Sequence, residues 1–140
     1  MDYHTRHKEE IISLPRVYPI ETAIQNNDVV LSIVLPYNME RFFLFIDNAS
    51  NGIPDKIRII IYSFDLPELS NKSILEYDGN MFIYTLDSRF TGPRTYFGHS
   101  IKESKRNDRK DMIIDYHLLT YDGNEYPVYW HNIDFYDWSV

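Results

Sequence analysis

The order of apolar and polar positions divides the chain into one strong helix and a series of strands. Residues 29–35, Val-Val-Leu-Ser-Ile-Val-Leu, are a short apolar, largely β-branched run bounded by Asp28 and Pro36, which predicts a strand. Between Asn38 and Asn51, Met39, Phe42, Phe43, Ile46 and Ala49 recur at spacings of three and four, so they share one helical face. Asn38 suits the N-cap, and Gly52 suits the left-handed position after the last turn. Leu44 and Phe45 fall off that face, so the helix is apolar over more than half its girth and is expected to pack on two sides. Lys56 to Phe64 alternates and then runs apolar, predicting a central strand with Ile57, Ile59 and Ile61 on one face.

Turn signals organise the second half. Ser73–Tyr77 and Met81–Leu86 flank Asp78-Gly79-Asn80, which predicts a hairpin with a type I′ turn. Asp65–Asn71, with Pro67, and Asp87–Thr95, with Gly92-Pro93, read as loops. Tyr96–Glu103 and Met112–Tyr121 read as strands joined by a charged connection from Lys102 to Asp111. A second turn at Asp122-Gly123-Asn124 leads into a strand from Tyr126 to Trp130. Tyr-Asp-Gly-Asn thus occurs twice, at 77–80 and 121–124, and reads as one turn chemistry used twice because the flanks share little else. The first 27 residues carry the weakest pattern: a helical turn over Glu9–Leu14 stopped by Pro15, an extended stretch to Pro19, and a short helix over Glu21–Asn27. The expectation is a single domain over 1–140. It comprises a less ordered extension over 1–27, a core over 28–130 and an aromatic-acidic tail over 131–140. The fold class is α+β: a mostly antiparallel sheet with one main amphipathic helix on one face and short N-terminal helical turns. An open barrel is the alternative.

Asp28-Val29-Val30, the helix closing on Asn51-Gly52, Lys56-Ile57-Arg58-Ile59 and Tyr77-Asp78-Gly79-Asn80 together resemble a family of small proteins of Gram-positive bacteria, a domain of unknown function. The similarity runs from about Asp28 to Glu103. It implies no activity and no catalytic residues. Many members of that family resemble lipoproteins with a leader and an anchoring Cys, whereas this sequence contains no Cys.

Composition narrows the function classes. An apolar fraction of 44% and an aromatic fraction of 16% in 140 residues support a packed core and exclude a disordered chain. Without Cys there are no disulfides, thiolate metal sites or Cys nucleophile. The polar start and the lack of an apolar run near the ~20 residues of a membrane span lead to an expectation of a cytoplasmic protein without a membrane span. The net charge of −7 disfavours nucleic acid as a general partner.

Motifs for catalysis are missing: the sequence holds no phosphate-binding glycine loop, dinucleotide fingerprint, zinc-protease helix or nucleophile elbow. No catalytic residue, metal ligand or cofactor is therefore assigned. His4 and His7 could share a helical face with Glu9 or Glu10, but a terminal segment of this kind reads as solvated surface. Asp115 and His117 share a strand face without an identifiable nucleophile. Asp78, Asn80, Asp122 and Asn124 offer oxygen ligands but lack the rest of a calcium loop and read as turn residues.

Charge distribution carries more. Lys102, Lys105, Arg106, Arg109 and Lys110 are five of the 14 basic residues, and Glu103 and Asp108 leave that stretch at net +3. Residues 111–140 have no Lys or Arg and six acids, so they are net −6. The same end is aromatic. Tyr129, Trp130, Asp134, Phe135, Tyr136, Asp137 and Trp138 are candidate interface residues, since aromatic anchors rimmed by carboxylates suit a partner with a basic surface. The favoured reading is a non-enzymatic module that binds another protein, of inhibitor or immunity type, and of phage or mobile-element origin. Two alternatives remain. One is a small-molecule or nucleotide site, or a weak hydrolase, built from Arg89, Arg94 and His99 around Gly92-Pro93. The other is RNA binding through residues 102–110. Arg89, Arg94, Lys102, Lys105, Arg106, Arg109 and Lys110 are the candidate anion contacts overall.

Overall fold

The computed structural model describes residues 2–32, 35–63, 70–88, 91–109 and 111–133. Sequence readings at Ile33 and Val34, on the loop around Pro67, at Arg89 and Lys110, and on the tail from Asp134 to Trp138 lie outside those residues. The elements are α1 (Tyr3–Ser13), α2 (Ile20–Gln25), β1 (Val29–Leu31), β2 (Pro36–Tyr37), α3 (Met39–Ser50), β3 (Asp55–Tyr62), β4 (Ser70–Tyr77), β5 (Phe82–Ser88), β6 (Gly92–Asp108), β7 (Asp111–Thr120) and β8 (Glu125–Asn132). The strands form one sheet in the order β2-β1-β3-β4-β5-β6-β7-β8.

The α+β class and an antiparallel-rich sheet are present, but the sheet is mixed. β1 runs parallel to β3, with Val29, Val30 and Leu31 opposite Ile59, Ile60 and Ile61. A parallel pair needs a long crossover, usually helical, and α3 lies within it. Helices also cover both faces, where one was expected. Val29, Leu31, Ile57 and Ile59 pack with Phe42 and Phe45 of α3, while Val30, Ile60 and Tyr62 pack with Tyr18 and Ala23 around α2. Ile57 and Ile59 thus face α3 as the alternation requires, and their neighbours face the other way.

The sheet curls around α3. Tyr116, Leu118, Val128 and Tyr129 of β7 and β8 belong to the same core as β1 and β3. In a flat sheet β1 and β8 would lie about 29 Å apart at roughly 4.8 Å per strand, against a helix only about 10 Å across. The contact is made by Phe42, whose ring lies 4.3 Å from Tyr129 and 4.8 Å from Tyr116, centroid to centroid.

Local chemistry sets the boundaries. Gly52 takes φ +73, and Ile53 N–H donates to Asn48 O while Gly52 N–H donates to Ala49 O, so α3 ends in a Schellman motif. α2 ends the same way, with Asn27 at φ 60 and Asp28 N–H donating to Ala23 O. Asn38 stands at the N-cap of α3, but in the left-handed region and without a side-chain capping bond. Its amide instead donates to Ile24 O and Asp28 O, tying the end of α2 to the start of β1. Within α3, Phe45 is buried and Leu44 is about half exposed.

Within the first 27 residues, read from the sequence as a less ordered extension, lie α1 and α2. Asp2 caps α1 by accepting Thr5 N–H at 2.7 Å, and the helix runs for 11 residues. The hairpin between β4 and β5 is present, but its turn is not type I′: only Gly79 has positive φ, and Asp78 N–H donates to Met81 O. The charged connection after Glu103 is likewise strand, paired from Lys102↔His117 to Asp108↔Asp111.

Phe42→Ala is expected to lower stability by about 3–5 kcal/mol, the usual range for a fully buried Phe. Gly98→Ala is expected to cost about 1–3 kcal/mol or more by overpacking, because its Cβ would lie 2.5 Å from both Leu118 Cδ1 and Leu119 O. Urea unfolding measures both, and a loss below about 1 kcal/mol for Phe42→Ala contradicts the packing described here.

Candidate binding groove between the central helix and the long hairpin

The curl leaves one stripe of α3 only partly covered. Phe43, Ile46, Asp47 and Ser50 fall at the helical spacings i, i+3, i+4 and i+7, beside the stripe that enters the core. Opposite them, Glu103 and Lys105 of β6 face Tyr116 and Ile114 of β7, and Ile114 faces His131 of β8. These residues enclose an open groove of about 480 Å³, more apolar than polar. Phe43, Ile46 and Ile114 give it an apolar floor, while Asp47, Glu103 and Lys105 carry its charges.

Its deepest polar groups are coupled. Tyr116 Oη and His131 Nε2 are 3.1 Å apart, and the ring of Phe43 meets His131 edge-on at 5.2 Å. His131 Nδ1 lies 3.5 Å from the Asn132 carbonyl oxygen. In the tautomer with its proton on Nδ1, His131 donates to that carbonyl and accepts from the Tyr116 hydroxyl at Nε2. Burial holds the His131 imidazole below its ordinary value of 6.5, partly offset by Asn132 and Glu103.

A second constellation is sealed. His7 is 2% exposed; its Nε2 lies 2.7 Å from Glu76 Oε1 and its Nδ1 2.9 Å from Thr85 Oγ1. Thr85 bonds Thr95 at 2.8 Å, and Thr95 bonds His4 Nδ1 at 2.7 Å. Carboxylate, imidazole and hydroxyl stand in the order of a nucleophilic triad. Thr85, however, is 0% exposed, so a substrate cannot reach it. The chain of bonds fastens α1 to β4, β5 and β6. His7 is thus not the solvated residue expected from sequence; the Asp2 cap and the His7/Ile11 spacing were the available signals.

A third cluster surrounds Asp28. Tyr18 Oη donates to Asp28 Oδ2 at 2.6 Å and Arg58 Nε donates to Oδ1 at 2.8 Å. Burial raises the Asp28 carboxyl, against the pull of these two donors. Arg41 grips Asp55 with both terminal nitrogens, at 2.8 and 2.6 Å, and this holds the Asp55 carboxyl below the usual range.

The remaining sequence candidates do not converge. Arg94 sits opposite Leu86 near the start of β6, and His99 occupies the bulge further along, 5.7 Å from the ring of Tyr121. Five residues of strand separate Arg94 and His99 by about 17 Å. In the basic stretch, Lys102 pairs with Glu125 and Arg106 with Asp115 and Asp108, Lys105 lines the groove, and Arg109 forms the turn at φ 58. Asp115 is thereby engaged by Arg106. Tyr129, an interface candidate from sequence, is a core residue at 1% exposure, whereas Trp130 is 37% exposed. Tyr126 stacks on Tyr96 with centroids 3.9 Å apart.

Among the described residues, no group of three or more His, Asp or Glu is placed to hold a metal ion, and no helix is long and apolar enough to cross a membrane. No family model matches the chain, nor does any curated protein or solved structure.

The depressed His131 has a pH signature. Between its folded value and 6.5 the unfolded chain binds more protons than the folded one, so stability rises with pH through that window. The contribution is full above 6.5 and is lost as the pH falls below it. Thermal melts of His131→Gln are expected to show a flatter dependence than wild type between about pH 5 and 7; an unchanged slope contradicts a buried neutral imidazole.

Proposed function

We propose that this is a non-catalytic binding protein that docks on another protein, and that the groove between α3 and the β6–β8 end of the sheet is its recognition site. The observation that carries the reading is the contrast between the groove and the sealed constellations. The groove is open, apolar at its floor and charged at its rim. The triad-like arrangement of Glu76, His7 and Thr85 is closed to substrate. The groove's position on two rigid elements suits recognition, because a preformed concave site loses little freedom on binding.

The occupant best matched to it is a segment presenting a large apolar side chain next to a Lys or Arg. The apolar group would lie on Phe43, Ile46 and Ile114, and the cation would face Asp47 and Glu103. The net charge of −7 favours a basic partner by long-range steering. The ion pairs of Lys102 and Arg106 argue against the hairpin as a phosphate-binding arm. A second reading, a small amphipathic molecule, is favoured by the Tyr116–His131 pair at the groove floor.

Peptide display on the full chain separates these readings. The expected result is enrichment of peptides with a basic residue adjacent to a large apolar one. Their binding should fall about tenfold or more with Ile46→Asp, the usual scale for loss of a central anchor contact, and should be unaffected by Trp130→Ala. Peptides that are lost with Trp130→Ala and kept with Ile46→Asp contradict the groove assignment.

A further inference from the structure

A second cavity lies beside the start of β3, between Glu10 of α1, the end of α2 and Arg41 of α3. It measures about 240 Å³ and is lined mainly by polar groups, among them Asn26, Asn27, Lys56 and Arg58. Lys56 and Arg58 stand two residues apart on β3, so both project to the face that α1 and α2 cover. Between them sits the carboxylate of Glu10, from the C-terminal half of α1. Lys56 Nζ donates to Glu10 Oε1 at 2.6 Å, and Arg58 Nη1 lies 3.6 Å from Oε2.

Charge matching around this carboxylate is selective. Arg41 is balanced by its two bonds to Asp55, and Arg58 by its Nε bond to Asp28. Lys56 has no carboxylate partner other than Glu10 among the described residues. Withdrawing Glu10 therefore leaves one uncompensated positive charge. A single carboxylate restores the balance, whereas a phosphate dianion would exceed it beside the buried Asp28. Glu10 and Lys56 are 25% and 45% exposed, and pairs open to water to this degree are held weakly, so an external anion can compete. The side chain of Asn27 is exposed at the cavity and makes no hydrogen bond to other described residues, leaving an amide for a ligand hydroxyl.

We propose that Lys56 and Arg58 form a receptor for a small hydroxylated monocarboxylate, that Glu10 occupies it in the resting chain, and that the ligand enters by displacing Glu10. This site is separate from the groove and does not depend on the function assigned there.

The probe is sodium glucuronate, followed by nitrogen-15 NMR of the full chain, with glucose and matched sodium chloride as controls. Shifts are expected at the Asn27 and Ile57 amides and at Arg58 Nε in wild type. In Glu10→Gln they are expected at about fivefold lower concentration, the change that one partly exposed ion pair supports. The spectrum also reports whether the near-isosteric variant is folded. Lys56→Met in the Glu10→Gln background is expected to abolish the response. Three outcomes overturn the proposal: no shift in Glu10→Gln beyond the controls, equal titration of wild type and Glu10→Gln, or an undiminished response after Lys56→Met.

Discussion

The closure of the sheet on α3 centres on the aromatic contacts of Phe42. Phe42, in the second turn of α3, reaches the far end of the sheet by stacking on Tyr129 and meeting Tyr116 edge-on. Because α3 also packs on β1 and β3, this contact joins the two ends of an eight-stranded sheet across one helix. The curl follows from that closure. It has a cost: the Tyr129 hydroxyl is buried without a hydrogen-bond partner among the described residues, a penalty of about 1–3 kcal/mol, and burial pushes its phenol well above the ordinary range. Dispersion and area burial by the packed rings outweigh that loss.

The groove is the geometric remainder of this closure. A helix about 10 Å across does not fill the curve of the sheet, and the stripe from Phe43 to Ser50 faces β6–β8 across the groove. The opposite face is organised differently. There α1 is held by a polar stripe, with Tyr3 on Asp78, His7 on Glu76 and Thr85, and Glu10 on Lys56. Apolar packing dominates the α3 face, whereas the other face combines the apolar cluster around Tyr18, Ala23, Val30, Ile60 and Tyr62 with directional bonds under α1.

Much of the fold was legible in the sequence where local chemistry alone decides structure. The spacing of Met39, Phe42 and Ala49, the Gly52 stop and the Asp78-Gly79 hairpin all report on nearby backbone. The parallel pairing of β1 and β3 was also signalled, by a strand-helix-strand order between Val29 and Tyr62, but the hairpins that follow it outweighed that signal in the reading. Two things were beyond pattern analysis. α1 buries His7 and Ile11 through bonds to residues about 70–90 positions away, and periodicity does not register a polar docking face. The groove joins α3 to residues 103–131, and only the closure of the sheet brings them together. The sequence reading placed its interface candidates at the aromatic end of the chain and assigned Phe43, Ile46 and Asp47 to the helix alone.

The proposed function is recognition through the concave side of the sheet. Amide and methyl chemical-shift mapping of the full chain with a display-selected peptide tests it most directly. Perturbations confined to Phe43, Ile46, Asp47, Glu103, Ile114 and their neighbours, with the peptide recovered intact, are the predicted result. Perturbations centred on Thr85 and His7 accompanied by cleavage of the peptide, or a footprint on the hairpin turn around Arg109 with the groove silent, would contradict it.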